Sequence, residues 1–116
     1  MEGCIFCKIA RGETPTRFVY EDDLVVAFDD ISPQAPVHTL IIPRTHYESP
    51  SEGLPPELMV ALWSAIPAVA DAKGVAESGY RVILNVGRDA MQSVSHMHVH
   101  VLGGRPMSHG MLNFRD

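Results

Sequence analysis

The sequence predicts an α+β domain: a mostly antiparallel sheet packed with one long helix and a short N-terminal helix. Three observations predict it. Short, apolar, β-branched runs are separated by Gly-, Pro- and Asp-containing turns, as strands are. Leu58, Leu62, Ile66 and Val69 or Ala70 recur at helical spacing in a single long stretch. His96-Met97-His98-Val99-His100-Val101 alternates with the period of a half-buried strand.

The elements follow in order. Residues 5–9 suit a short helical turn, and Arg11-Gly12-Glu13-Thr14-Pro15 reads as a turn. Residues 18–20 and 24–28 read as strands joined at Glu21-Asp22-Asp23, a hairpin. Pro33 and Pro36 bar regular structure from residues 31–36, which form a loop. Thr39-Leu40-Ile41-Ile42 is a buried strand stopped by Pro43, and residues 49–55 are a polar connection. The long helix runs from Pro56 to about Gly74. Pro55-Pro56 suits its start and Gly74 its end, while Pro67 predicts a kink or split. Residues 80–86 form a strand and residues 87–95 a loop. The histidine strand comes last, ended by Gly103-Gly104.

The bulk properties exclude several classes. At 116 residues and 46% apolar, the chain fits one domain with a real core. A net charge of -5 without a basic run argues against a nucleic-acid or membrane surface. No apolar run approaches the roughly 20 residues needed to cross a bilayer. The first residues show neither a basic n-region nor an apolar h-region, so a cytoplasmic location is the expectation. In that compartment two cysteines three apart are more readily thiols or metal ligands than a structural disulfide.

Four groups of residues could do chemistry. On an alternating strand His96, His98 and His100 share one face at a spacing of about 7 Å, with Met97, Val99 and Val101 buried on the other. Three imidazoles on one face suit anion binding, a metal or proton transfer. The central His98 can attack phosphorus and later be released by water. Cys4 and Cys7, with His46 and one strand histidine, supply the four ligands of a closed Zn²⁺ site. A redox pair or two unligated thiols are the other readings of that spacing. Asn85, Gln92 and Ser93 lie just before the histidines and can donate to phosphate oxygens, although such residues also simply make turns. Asp30 can accept ribose hydroxyls, and Phe6, Ile9, Phe28 and Ile31 can form an apolar slot for a base; core packing is the simpler account of each of these four.

These residues together resemble a known family. His96-Met97-His98-Val99-His100-Val101-Leu102 fits the histidine triad (HIT) pattern. The likeness continues through Phe28-Asp29-Asp30-Ile31-Ser32-Pro33-Gln34-Ala35-Pro36-Val37-His38, Ile42-Pro43-Arg44-Thr45-His46, Asn85-Val86-Gly87, Gln92-Ser93-Val94 and Leu102-Gly103-Gly104. It is similar to the histidine triad nucleotide-binding proteins of the purine nucleoside phosphoramidase branch, from about Cys4 to Gly104. The resemblance implies a HIT domain over residues 1–104, a tail over 105–116 at or near the active site, and a homodimer whose sheets join. It implies hydrolysis of the P–N bond in purine nucleoside 5′-phosphoramidates, and of related aminoacyl adenylates, through a nucleotidyl-histidine. By that likeness His98 is the nucleophile, and His100 and His38 bind phosphate or orient the other rings. Ser93 and Gln92 lie at the phosphate and leaving group, with Asn85 beside the phosphate. Asp30 holds the ribose, and Ile31, Phe28, Phe6 and Ile9 surround the base. Cys4, Cys7, His46 and His96 resemble structural zinc ligands. AMP, GMP and their phosphoramidates are the implied ligands. Two alternatives are a hydrolase or phosphorylase of diadenosine polyphosphates, and a non-catalytic purine-nucleotide scaffold.

The chain departs from its pattern in places. Met91 stands where such proteins usually carry glycine, and Ser95 replaces a larger residue. The tail from Met107 to Asp116 lacks a Trp-containing ending. These departures bear on specificity, and Pro67 bears on the helix.

Overall fold

The alternation of apolar side chains in the central strands sets the architecture. In the computed structural model, which describes residues 3–108, β2 (Val25–Asp29) and β3 (Val37–Pro43) are apolar on both faces. A strand with two apolar faces needs a cover on each side. Val25, Ala27 and Ile41 enter a core with α2 (Pro56–Ala72), whereas Val26, Phe28, Leu40 and Ile42 pack with Phe6, Ile9 and Ala10 of α1 (Ile5–Ala10). The remaining strands are β1 (Tyr20–Glu21), β4 (Tyr80–Leu84) and β5 (Val99–Gly103), and a short 3-10 turn covers Pro50–Glu52. All neighbours pair antiparallel, in the order β1-β2-β3-β5-β4. The predicted α+β class, with its one long and one short helix, is the observed one.

The boundaries differ from expectation for local reasons. The Asp22 carboxylate accepts from Leu24 N and Val25 N, both at 2.8 Å, which starts β2 at Val25 and ends β1 at Glu21. The split expected at Pro67 does not occur: α2 runs unbroken through it. Pro67 is exposed, and so is Trp63 four residues earlier, whose carbonyl loses its helical donor; water can take that carbonyl. At the far end Val75 N reaches Ala70 O at 2.9 Å and Gly74 N reaches Asp71 O at 3.1 Å, with Gly74 at φ 74°. This is a Schellman close, and it needs a left-handed residue at Gly74.

The histidine strand is shorter than predicted. β5 begins at Val99, so His96, Met97 and His98 lie outside the ladder. Here Met97 N donates to Tyr47 O at 2.7 Å, and the chain bends away before it meets β4. The two-sided sorting still holds. Met97, Val99 and Val101 enter the α2 core, while the ring of Phe6, on α1, meets His96 and His98 edge-on at 5.9 and 5.2 Å. The histidine face is therefore not a solvent ladder. His96 and His98 are 0% and 3% exposed.

Candidate active site and metal cluster

The register of the sheet assembles the site. Phe28 lies opposite Leu40, and Leu40 lies opposite His100, so all three share the α1 face. His38, two residues before Leu40, points the same way. The face ends in a cavity of about 300 Å³. Its walls include Phe6, Ile9, Phe28, Asp30, Ile31, Ser93, His98 and His100, eight of the residues singled out from sequence. Ile31 is 98% exposed, an apolar side chain that only a ligand or partner would cover.

The hydrogen bonds fix the tautomers along this face. Gln34 N donates to His38 Nδ1 at 3.0 Å, so that nitrogen is an acceptor and the proton of neutral His38 sits on Nε2. His38 Nε2 then donates to His100 Nδ1 at 2.9 Å, which places the His100 proton on Nε2. His100 Nε2 is buried without a hydrogen-bond partner among the described residues. It is a donor in wait for a ligand oxygen. His98 is set the opposite way round: Nδ1 lies 2.9 Å from His96 O, a pure acceptor, so Nδ1 carries the proton and Nε2 keeps its lone pair. The His98 and His100 rings lie 5.0 Å apart. The site thus couples a bare imidazole nitrogen with a neighbouring N–H donor.

Burial favours the neutral form of His100 and His38. It lowers His100 to about 4, helped by the nearby His98 and His38 rings. Burial lowers His38 as well, against the upward pull of Asp30 3.5 Å away and with a smaller push from His98. The Asp30 carboxylate also accepts Ser32 N at 2.8 Å, which anchors it at the cavity edge.

Cys4, Cys7, His46 and His96 form a second cluster on the other side of Phe6. His96 Nε2 lies 2.8 Å from Pro43 O, so its proton is there and Nδ1 is bare. That Nδ1 is 3.5 Å from both sulfurs, and His46 Nδ1 is 3.3 Å from Cys7 Sγ. Zn–S and Zn–N bonds of about 2.3 and 2.1 Å at a tetrahedral angle put S and N about 3.6 Å apart. All four ligand atoms lie within 4.8 Å of one another, so these residues are close enough to hold a metal ion. Burial first, then the Cys4 hydrogen bond, pushes the Cys7 thiol up. A cation at the centre would reverse that push.

Asp30, His38 and His100 are also mutually close. Their tautomers do not suit a metal. His38 Nε2 must carry a proton while Nδ1 accepts from Gln34 N, so a metal there would require an imidazolate.

Two residues singled out from sequence do not line the cavity, and His38, expected to bind phosphate or orient the other rings, is placed to do the latter. Gln92 is not a wall of the cavity, and its amide binds only backbone groups. Asn85 is half-buried just beyond β4 and does not line it. His38 stands behind His100 rather than at the cavity wall. Sequence reasoning missed Ile5, Thr16, Asp29, Leu40 and Val94 as walls, and the backbone of Gln34 as the group that sets the His38 tautomer. Ile5 had a signal, because it sits one helical turn before Ile9. Thr16 and the Gln34 backbone had none.

Fold and site define a single α+β domain with histidines gathered on one sheet face. The HIT domain model matches residues 11–107. The chain belongs to the HIT domain family. It is 48% identical over 109 residues to the purine nucleoside phosphoramidase of Escherichia coli strain K12, covering 91% of each chain. A HIT family hydrolase from Legionella pneumophila Philadelphia 1 superposes with a TM-score of 0.87 and 42% identity, over 94% of this chain and 99% of that one. Another from Clostridium thermocellum gives 0.89 and 42%, over 97% and 99%. These likenesses support a HIT family hydrolase. No helix among the described residues is long and apolar enough to cross a membrane.

Proposed function

We propose that the protein hydrolyses the P–N bond of purine nucleoside 5′-phosphoramidates, releasing a nucleoside monophosphate and an amine, and the acyl-phosphate P–O bond of related aminoacyl adenylates, releasing a nucleoside monophosphate and a carboxylate. One observation carries this reading. His98 offers a proton-free Nε2 in a cavity that it shares with the N–H of His100, whose buried Nε2 has no hydrogen-bond partner among the described residues. In the first step His98 Nε2 attacks the α-phosphorus and the P–N bond breaks. The departing nitrogen takes a proton through the Ser93 hydroxyl, which regains one from water. In the second step water attacks phosphorus, the bond to His98 breaks, and the nucleotide leaves. Splitting the reaction replaces one hard displacement by two easier ones. His100 Nε2–H stabilises charge on the phosphate oxygens, with its tautomer set in advance by His38. Asp30 holds the ribose, and the Phe6, Ile9, Phe28 and Ile31 side chains hold the base.

In this reading Cys4, Cys7, His46 and His96 hold Zn²⁺ as a structural ion. Phe6 and Ile9 stand on the same short helix as Cys7, so the ion would tether the base wall to the sheet. The protein acts as a homodimer through β4. Of the two sheet edges, β1 offers two residues and β4 five. Tyr80 and Val82 on β4 are each 37% exposed. A five-residue open edge is one that another strand can cap.

The test is a phosphorus NMR assay of an adenosine 5′-phosphoramidate, a guanosine 5′-phosphoramidate and a dinucleoside polyphosphate. Release of AMP or GMP from the phosphoramidates is expected. Quenched turnover should yield protein bearing AMP on His98 by mass spectrometry. Turnover of the dinucleotide alone would favour the polyphosphate reading, and AMP binding without turnover would favour a scaffold.

A further inference from the structure

We propose that Gln92 is a positioning residue, not a substrate contact: its side-chain amide clamps residues 87–94 and so sets the direction of the Ser93 hydroxyl. The inference rests on the leaving-group role assigned to Ser93 above. Both amide hydrogens are already committed, one to Glu48 O at 2.9 Å and one to Val94 O at 3.0 Å. The amide oxygen accepts Gly87 N at 2.8 Å, and Gln92 N returns a bond to Gly87 O at 3.1 Å. A primary amide has two hydrogens, so none remains for a phosphate oxygen. Ser93 is the next residue and lines the cavity, where Gln92 does not.

The clamp holds Ser93 from both sides. Gly87 closes the loop behind it and Val94 fixes the chain ahead of it. Glu48 ties both to the segment that follows His46, which Met97 N also grips through Tyr47 O. The loop needs the restraint. Met91, immediately before Gln92, is the one non-glycine among the described residues at positive φ, 63°, and it is 82% exposed. A strained turn persists only where its surroundings hold it.

The experiment compares two substrates in the full-length protein. One is an adenosine phosphoramidate of an alkylamine, which must be protonated to leave. The other is the p-nitrophenyl ester of AMP, whose phenolate leaves without a proton. Gln92→Ala and the volume-matched Gln92→Met should slow the phosphoramidate by about 10- to 100-fold, the scale of a small misplacement, and the ester by under about threefold. Ser93→Ala should show the same split, and adding Gln92→Ala to it should cost nothing more. Equal losses on both substrates, or additive losses in the double variant, would overturn the clamp in favour of a phosphate contact. Wild-type rates in both Gln92 variants beside a slow Ser93→Ala would overturn it too. A full-rate Ser93→Ala would remove the role of Ser93 itself, and the inference with it, while leaving nucleophilic His98 to be judged by the trapped adduct.

Discussion

The two histidine clusters of this molecule are built from the same ring and sit on either side of Phe6, yet they suit different chemistry. At Cys4, Cys7, His46 and His96, a carbonyl takes the His96 proton on Nε2 and leaves Nδ1 bare toward two sulfurs. At Asp30, His38 and His100, a backbone N–H takes the His38 lone pair instead, and a proton is driven along the row. Proximity is the same by one measure, since each set has its ligand atoms within 4.8 Å. What differs is the partner behind each imidazole, which decides whether the front nitrogen offers a lone pair or a hydrogen.

That contrast can be broken most directly at His98. His98→Ala is expected to lower turnover on the order of 10⁴-fold or more, as loss of a covalent nucleophile does elsewhere, with metal content and Tm near wild type. Near-normal turnover would end the division of labour. Next in size is the pair Cys4→Ser and Cys7→Ser. It should abolish metal binding and lower Tm by about 10–20 °C, several kcal/mol of metal-linked stability. Turnover of the folded protein at 25 °C should survive, with KM raised more than kcat is lowered because the α1 wall loosens. If stripped wild type stays folded but is dead until zinc is returned, the two clusters are not separate.

A smaller effect separates ribose from phosphate. Asp30→Asn should raise KM for AMP derivatives about tenfold, the value of a charged hydrogen bond, and change kcat little. A loss confined to kcat would move Asp30 from binding to the proton row. Acid should report on the same row. His100 titrates at about 4 when folded, against an ordinary 6.5. The unfolded chain therefore binds the proton first, and the contribution of His100 to stability is complete above pH 6.5 and is lost as the pH falls toward 4. Denaturant midpoints of wild type should fall through that window more steeply than those of His100→Gln. Parallel curves would show that His100 is not held neutral. The smallest effect is expected at Met91→Gly, a gain of about 0.5–1 kcal/mol from relief of the left-handed backbone, partly offset by unfolded-state entropy.

Much of this was legible in the chain. The sheet, both helices and their ends follow from period, proline and glycine, and Gly74 closes α2 as its sequence position implies. Alternation assigned His98 and His100 to the face opposite Val99 and Val101 although the ladder itself starts only at Val99. Side-chain period is local and survives a lost hydrogen bond. Pro67 misled because its effect depends on which side of the helix faces water. The direction of the Gln92 amide was not legible, because an amide beside a pocket reads the same whether it turns inward or toward Glu48 O, forty-four residues away in sequence. The tautomers were invisible, since Gln34 acts through a backbone N–H common to nearly every residue type.

The sharply two-faced β5 bears on how the chain avoids folding wrongly. Sliding it one residue against β3 would drive His100 beneath α2 and swing Val99 and Val101 out of that core onto the α1 face. Such a mispaired intermediate would bury an unpartnered imidazole and strip two valines from the α2 core, so it should come apart faster than it can mature. A histidine proposed to bind the phosphate would then serve as a proofreader for strand pairing.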